Sequence, residues 1–309
     1  MVDYTVLLQQ VINGLSLGAM YALLAIGFTL VYGILELINF AHFNVFMIGS
    51  FFGMWALEAL GLSGQSRVLT GLALAGALAF AFAVAMLGSG VLGVAIERIA
   101  LRPLRGVSGT TGMITTIGVS YILFNAILLG AGADAKNFPN PLPTRHWQIA
   151  GATIDLREVL IWGIALALMV GLQLFVSRTR LGKAMRATAQ DAEAARMMGV
   201  DVDRVVMTAF FLGSALAGAA ALIFGLYYNY TSFLIGYTAG LRAFTAAVLG
   251  GIGSVTGAMV GGLLIGLIET LGGQLIAVRW TDVIIFSILV LVLVFVPSGL
   301  FGRAAPTKS

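Results

Sequence analysis

Apolar runs long enough to cross a bilayer recur along the whole chain, separated by short polar breaks. They cover residues 6–35, 45–60, 68–96, 111–130, 159–176, 205–228 and 283–296, and a shorter run, 241–249, leads into a glycine-rich stretch. The pattern predicts an all-α fold, a polytopic membrane helical bundle of about eight to nine transmembrane segments, with broken helices where glycines or polar residues interrupt a run. Residues 1–309 form a single transmembrane domain, because no polar stretch is long enough for a soluble one. The first run exceeds an untilted span at about 1.5 Å per residue, so it tilts or breaks near Gly27 or Gly33.

Three polar interruptions organise the rest. Residues 36–44 place Glu36, Asn39, His42 and Asn44 at membrane depth. Intramembrane polar groups are costly and face a bundle interior or a cavity. The patch is either a broken helix lining a candidate translocation path or a turn between two spans. Residues 131–158 hold Pro139, Pro141 and Pro143, then a loosely alternating stretch around Ala150-Gly151 that predicts a small hairpin. This is the largest external loop, a docking surface or a lid.

Residues 177–204 are the longest charged, helix-forming run. Arg178, Arg180, Lys183 and Arg186 place it in the cytoplasm by the excess of basic residues on that side of membranes. Leu181, Met185, Thr188, Ala192, Ala195 and Gly199 recur at helical spacing as a small-residue face, while Lys183, Arg186, Gln190, Glu193 and Met197 form another. Gly199 is placed to end the helix and Asp201 to cap the next. A small face with charged shoulders suits docking to a protein; the alternative is a solvated helix on the anionic leaflet. The basic turn at residues 97–106 is a topological anchor or a second contact with a partner.

Glycine spacing predicts close helix contacts. Gly14 and Gly18 form one pair, Gly253, Gly257 and Gly261 a stripe, and Gly262 and Gly266 another pair. Gly14-Leu15-Ser16-Leu17-Gly18 has the letters of a nucleophile elbow but lies in an apolar helix, which excludes the strand-to-helix turn that chemistry needs. Gly250-Gly251-Ile252-Gly253-Ser254 lacks the Lys-Ser/Thr of a phosphate-binding loop. Arg242 and Glu269 read as interface anchors.

Composition narrows the function classes. Hydrophobic residues make up 60% of the chain and charged residues 10%, and the net charge of +4 sits in loops, where it reports topology and not nucleic-acid binding. There is no cysteine, which excludes disulfides and thiol chemistry, and His42 and His146 are too far apart in sequence for a histidine-rich metal site. No cofactor is expected. The first basic residue is Arg67, so a cleaved leader is not expected and the first span is retained.

Glu193-Ala194-Ala195 followed by Gly199 resembles the cytoplasmic signature of bacterial ATP-binding cassette (ABC) importer permeases, without its usual downstream Ile-x-Leu-Pro. The resemblance extends nearly end to end. It includes Gly27-Phe28-Thr29-Leu30, Asn39-Phe40-Ala41-His42, Arg102-Pro103-Leu104-Arg105-Gly106, Gly182-Lys183-Ala184-Met185-Arg186-Ala187, Ala246 to Ser254 and Pro297-Ser298-Gly299-Leu300. In order, these motifs are similar to the H-type permease of branched-chain amino acid ABC importers. The resemblance implies a multi-pass subunit of the bacterial inner (plasma) membrane. Its implied partners are a second homologous permease, two ATP-binding subunits and a periplasmic solute-binding protein.

It also implies that Arg186, Gln190, Asp191, Glu193, Ala194, Ala195 and Gly199 couple to the ATPase. ATP is then handled by other polypeptides, and this chain is a translocating subunit, not an enzyme. Phe43-Asn44 stands where relatives carry Gly-Asp or Gly-Glu, which leaves urea, short amides or aromatic acids as alternative solutes. Two rival readings remain from the residues alone. An ion-coupled transporter would use Glu36, Glu58 or Glu269, and a membrane-embedded hydrolase would need a base such as His42.

Overall fold

The computed structural model describes residues 4–63, 68–105 and 109–302. Among them the elements are almost all helices: α1 (Tyr4–Leu35), α2 (Ala41–Ala59), α3 (Gly71–Ile96), α4 (Gly109–Ala131), α5 (Leu156–Arg178), α6 (Arg180–Gln190), α7 (Ala192–Met197), α8 (Val202–Tyr228), α9 (Ile235–Gly250), α10 (Val255–Leu275) and α11 (Thr281–Phe295). Seven helical segments of the described residues are long and apolar enough to cross a membrane. The 19-residue α2 and 16-residue α9 lie beside them and outside that seven. The chain is an all-α polytopic bundle.

Burial divides the bundle into an axis and a rim. The most apolar window of α1 is 83% buried and that of α8 is 89%, whereas that of the last span, Val278–Phe295, is 11% and that of α4 17%. α1 is one unbroken helix, correcting the alternative of a break at Gly27 or Gly33. Gly27 meets Gly213 of α8 instead, where a Cβ on Gly213 would lie 2.7 Å from the Gly27 carbonyl oxygen. Without side chains there, the two axial backbones approach closely enough for dispersion and weak Cα–H···O contacts.

The same device joins α1 to α10. A Cβ on Gly14 would lie 2.9 Å from the Leu267 backbone, and one on Gly18 2.7 Å from the Leu263 backbone. On α10, Gly262 and Gly266 face α1, and Gly257 and Gly261 face α9. The expected stripe begins one step later than its spacing suggested. Gly253 lies in the turn between the Gly251 cap of α9 and the Ser254 cap of α10, at φ 94°, so its positive φ serves the turn and it is not part of α10.

One end of the bundle gathers a hairpin and the other gathers the charged loop. At the hairpin end, β2 (His146–Ile149) and β3 (Ala152–Asp155) pair antiparallel across Ala150 (φ 52°) and Gly151 (φ 85°). Positive φ at both turn residues gives the twist that suits a tight hairpin. Thr153 N donates to Gln9 Oε1 at 2.8 Å, which ties the hairpin to the start of α1. β1 (Lys136–Asn137) pairs with β4 (Tyr230–Thr231), so the loop after α4 is also held to the end of α8. α5 starts with a reciprocal cap: the Asp155 side chain accepts from the helix backbone, and the buried Glu158 carboxylate accepts from Asp155 N at 2.9 Å.

At the other end the single expected helix is two. Thr179 Oγ1 accepts from Gly182 N at 3.0 Å and starts α6. Asp191 then interrupts the helix, its Oδ1 accepting from Glu193 N and Ala194 N, each at 2.9 Å, to start α7. Gly199 adopts φ 83°, and Asp201 caps α8 by accepting from Arg204 N at 3.0 Å, as the spacing predicts.

Candidate functional site

Three constellations of polar side chains stand out, and the first is a groove between α2, α4 and α9. Thr116 and Ser120 lie one turn apart on α4. Phe40 N donates to Thr116 Oγ1 at 3.1 Å, and Asn44 Nδ2 donates to the Ser120 carbonyl at 2.8 Å and to Ser120 Oγ at 2.6 Å. These bonds fix the first turn of α2 against α4. On the third side, Gly236 brings α9 close: a Cβ there would lie 3.0 Å from Asn44 Oδ1.

The cavity enclosed by these elements has a volume of about 340 Å³. Phe40, Phe43 and Phe124 line its walls, Tyr121 and Tyr237 stand at its exposed margin, and Asn44 and Ser120 are its polar groups. An aromatic wall with a few convergent uncharged polar groups is the usual make-up of a small-molecule site. A larger hollow of about 590 Å³ runs along α11, but Val283, Phe286, Val290 and Leu291 make it an open apolar surface of the kind lipid covers.

The structure distributes the four candidate path residues. Asn44 lines the groove. Asn39 is buried just before α2, its Oδ1 accepting from Ala41 N at 3.1 Å, so it shapes the turn that delivers Asn44. His42 is fully buried beside Gly27, and its Nε2 has no hydrogen-bond partner. Glu36 is exposed at φ 51° in the connection between α1 and α2. Residues 36–40 are therefore a turn between two helices, whose far side opens on the groove. Sequence reasoning missed Ser120, Tyr121 and Tyr237; the signal was the four-residue spacing of Thr116 and Ser120 in an apolar helix.

The second constellation is the charged loop. Arg186, Gln190, Asp191, Glu193 and Gly199 are exposed, Ala194 is half-buried, and Ala195 is buried. The expected small-residue docking face divides: Met185, Thr188 and Ala195 turn inward. Arg186 bonds the Val176 carbonyl, folding α6 back on the end of α5. The outward surface is the charged face, extended by Met197 and Met198, which are 82% and 85% exposed.

The third constellation corrects the reading of Arg242 and Glu269 as separate anchors. Arg242 Nη1 lies 2.8 Å from Glu269 Oε1 and 3.3 Å from the hydroxyl of buried Tyr21, and Nη2 lies 2.9 Å from Asp282 Oδ1. One guanidinium thus joins α1, α9, α10 and α11. No group of three or more metal-ligating side chains forms among the described residues.

The family model described as "Branched-chain amino acid transport system / permease component" matches residues 10–293. The chain belongs to this family. It is 42% identical over 306 residues to the high-affinity branched-chain amino acid transport system permease protein BraD of Pseudomonas aeruginosa, covering 97% of each chain. It is 39% identical over 306 residues to the corresponding LivH protein of Escherichia coli, again with 97% of each covered. A probable branched-chain amino acid permease, LivH of Methanocaldococcus jannaschii, is 26% identical over 91% of this chain and 88% of its own length. No solved structure matches.

Proposed function

We propose that this chain is the membrane-spanning permease subunit of an ABC importer for branched-chain amino acids. In this reading it lies in the bacterial inner membrane with the charged loop in the cytoplasm and the hairpin outside. A homologous permease, two ATP-binding subunits and a periplasmic solute-binding protein complete the machine. End-to-end similarity to permeases of that transport class supports the family part of the reading. The observation that carries the site is the groove, which lines an otherwise apolar cleft with Asn44, Ser120 and Tyr121.

Polar groups at membrane depth are retained where protein or a water-filled path covers them. The groove is therefore one wall of the solute path, closed on its open side by the second permease. Its walls are aromatic and its polar groups uncharged, which suits a solute with an aliphatic side chain. The charged termini of the amino acid are then met by water or by the facing subunit. Arg186, Gln190, Asp191, Glu193 and Gly199 present the outward face to the ATP-binding subunit, with Ala194 half-buried beside them, and Ala195 seats that face from within.

Reconstitution of the complete complex in proteoliposomes tests this. ATP-dependent uptake of labelled leucine, isoleucine or valine, with binding protein on one side, is the expected result. Uptake of urea or an aromatic acid in place of these would move the solute within the family. Uptake by this chain alone on an ion gradient would overturn the reading.

A further inference from the structure

Glu97 stands where α3 loosens into a π-turn, Glu97–Leu101, followed by a 3-10 turn, Arg102–Leu104. Its side chain is fully buried. Oε1 accepts from Arg105, and Oε2 is buried without a hydrogen-bond partner. The other arm of Arg105 donates to Asp203 Oδ1, and Arg102 Nη2 donates to Asp203 Oδ2 at 2.5 Å. Asp203 lies in the first turn of α8. Two arginines and two carboxylates thus run as one chain, Glu97–Arg105–Asp203–Arg102, from the end of α3 to the start of α8.

The physical chemistry makes this junction stiff. A buried carboxylate persists when a counter-charge is held against it, and removing that partner is far costlier than losing a surface pair. The planar fork of arginine can hold two carboxylates at once, which an ammonium group does less well. Beneath the charges lies an apolar cluster separate from the main core: Val31, Leu101, Val202, Val206 and Phe210. It joins the end of α1, the π-turn and the first turns of α8.

Position gives the junction a role. α7 passes through Gly199 and the Asp201 cap directly into α8, so a push on α7 arrives first at Asp203. On the other side, the π-turn packs against α4, which carries Ser120 and Tyr121 of the groove. π-turns are rare and occur frequently at functional sites.

We propose that Glu97, Arg102, Arg105 and Asp203 are positioning residues that clasp α8 to α3, so that displacement of α6 and α7 is carried into α3 and α4 and reaches the wall of the groove. The proposal rests on the importer reading. With the clasp intact, the start of α8 and the π-turn move together; without it, α7 and α8 move and the groove wall does not follow.

The test uses the complete complex in proteoliposomes and reads solute imported per ATP hydrolysed. If the wild-type complex hydrolyses ATP but imports no solute, the importer reading fails and the variants are not needed. Asp203→Asn removes the shared charge at a partly exposed position, and Arg105→Gln removes the bridge. Both are expected to keep ATP hydrolysis within about twofold of wild type and to lower the import-to-hydrolysis ratio about tenfold. Asp203→Glu restores most of the ratio. An unchanged ratio in Asp203→Asn overturns the proposal. So does a parallel fall in uptake and hydrolysis, or failure of both neutral variants to assemble, since either outcome makes the cluster a folding element only.

Discussion

A single methyl group decides whether α1 and α10 can meet. A Cβ on Gly18 would stand 2.7 Å from the Leu263 backbone, closer than real side chains come, and the atom it meets is backbone, not a side-chain end that could swing aside. Gly18→Leu is expected to destabilise the folded chain by about 1–3 kcal/mol through overpacking, read as a lowered unfolding temperature in detergent. An unchanged temperature would mean that α1 and α10 are not in contact. Arg242 poses the opposite problem, a charge rather than a volume. Arg242→Met strands the largely buried Glu269 carboxylate, at a cost of about 3 kcal/mol. Asp282→Asn breaks a link at an exposed aspartate and is expected to cost less than about 1 kcal/mol. Equal losses in the two variants, measured by thermal unfolding, would show that the Arg242–Glu269 pair is not the buried half of the cluster.

At the scale of elements, the backbone at Gly199 makes a specific demand. Its φ of 83° is a left-handed conformation that a β-branched residue resists. No neighbouring atom lies within 4 Å of a Cβ there, so Gly199→Val would be strained without being crowded. The expected result is a reoriented α7 and loss of coupled uptake, with normal insertion of the chain; wild-type uptake would remove α7 from the coupling path. The existence of this turn was legible from Gly199 and Asp201, because caps are local chemistry. The split at Asp191 was not, since an aspartate can cap a helix or ride on its surface with the same neighbours in sequence. The direction of the loop's faces was also hidden. Small residues at helical spacing mark a contact, and whether Ala195 meets the bundle or a partner depends on tertiary packing. The groove was half legible: Asn44 announced itself as a polar group in an apolar run, whereas Ser120 and Tyr237 acquire meaning only when α4 and α9 are brought beside it. Arg242 and Glu269 lie on different helices, and no local pattern links them.

At the scale of the whole molecule, the two ends differ in what they expose. The chain has no cysteine, so one introduced thiol is its sole target for a membrane-impermeant maleimide. Gln148→Cys on the hairpin is expected to react from outside in cells with a permeable outer membrane, and Gln190→Cys to react after the inner membrane is opened. The reverse order would invert the proposed orientation. The bundle's division into axis and rim has one more consequence. α1 has 32 residues, a length of about 48 Å, well beyond the roughly 30 Å of a hydrocarbon layer. Its middle is covered by neighbours, and its first turns project to the hairpin, where Gln9 is bonded to Thr153. The last span, Val278–Phe295, by contrast has 18 residues, about 27 Å, on the rim. A thicker bilayer would therefore strain the lipid-facing rim while leaving the axis at its natural length, so sensitivity to acyl-chain length resides in the rim spans, the short last one foremost.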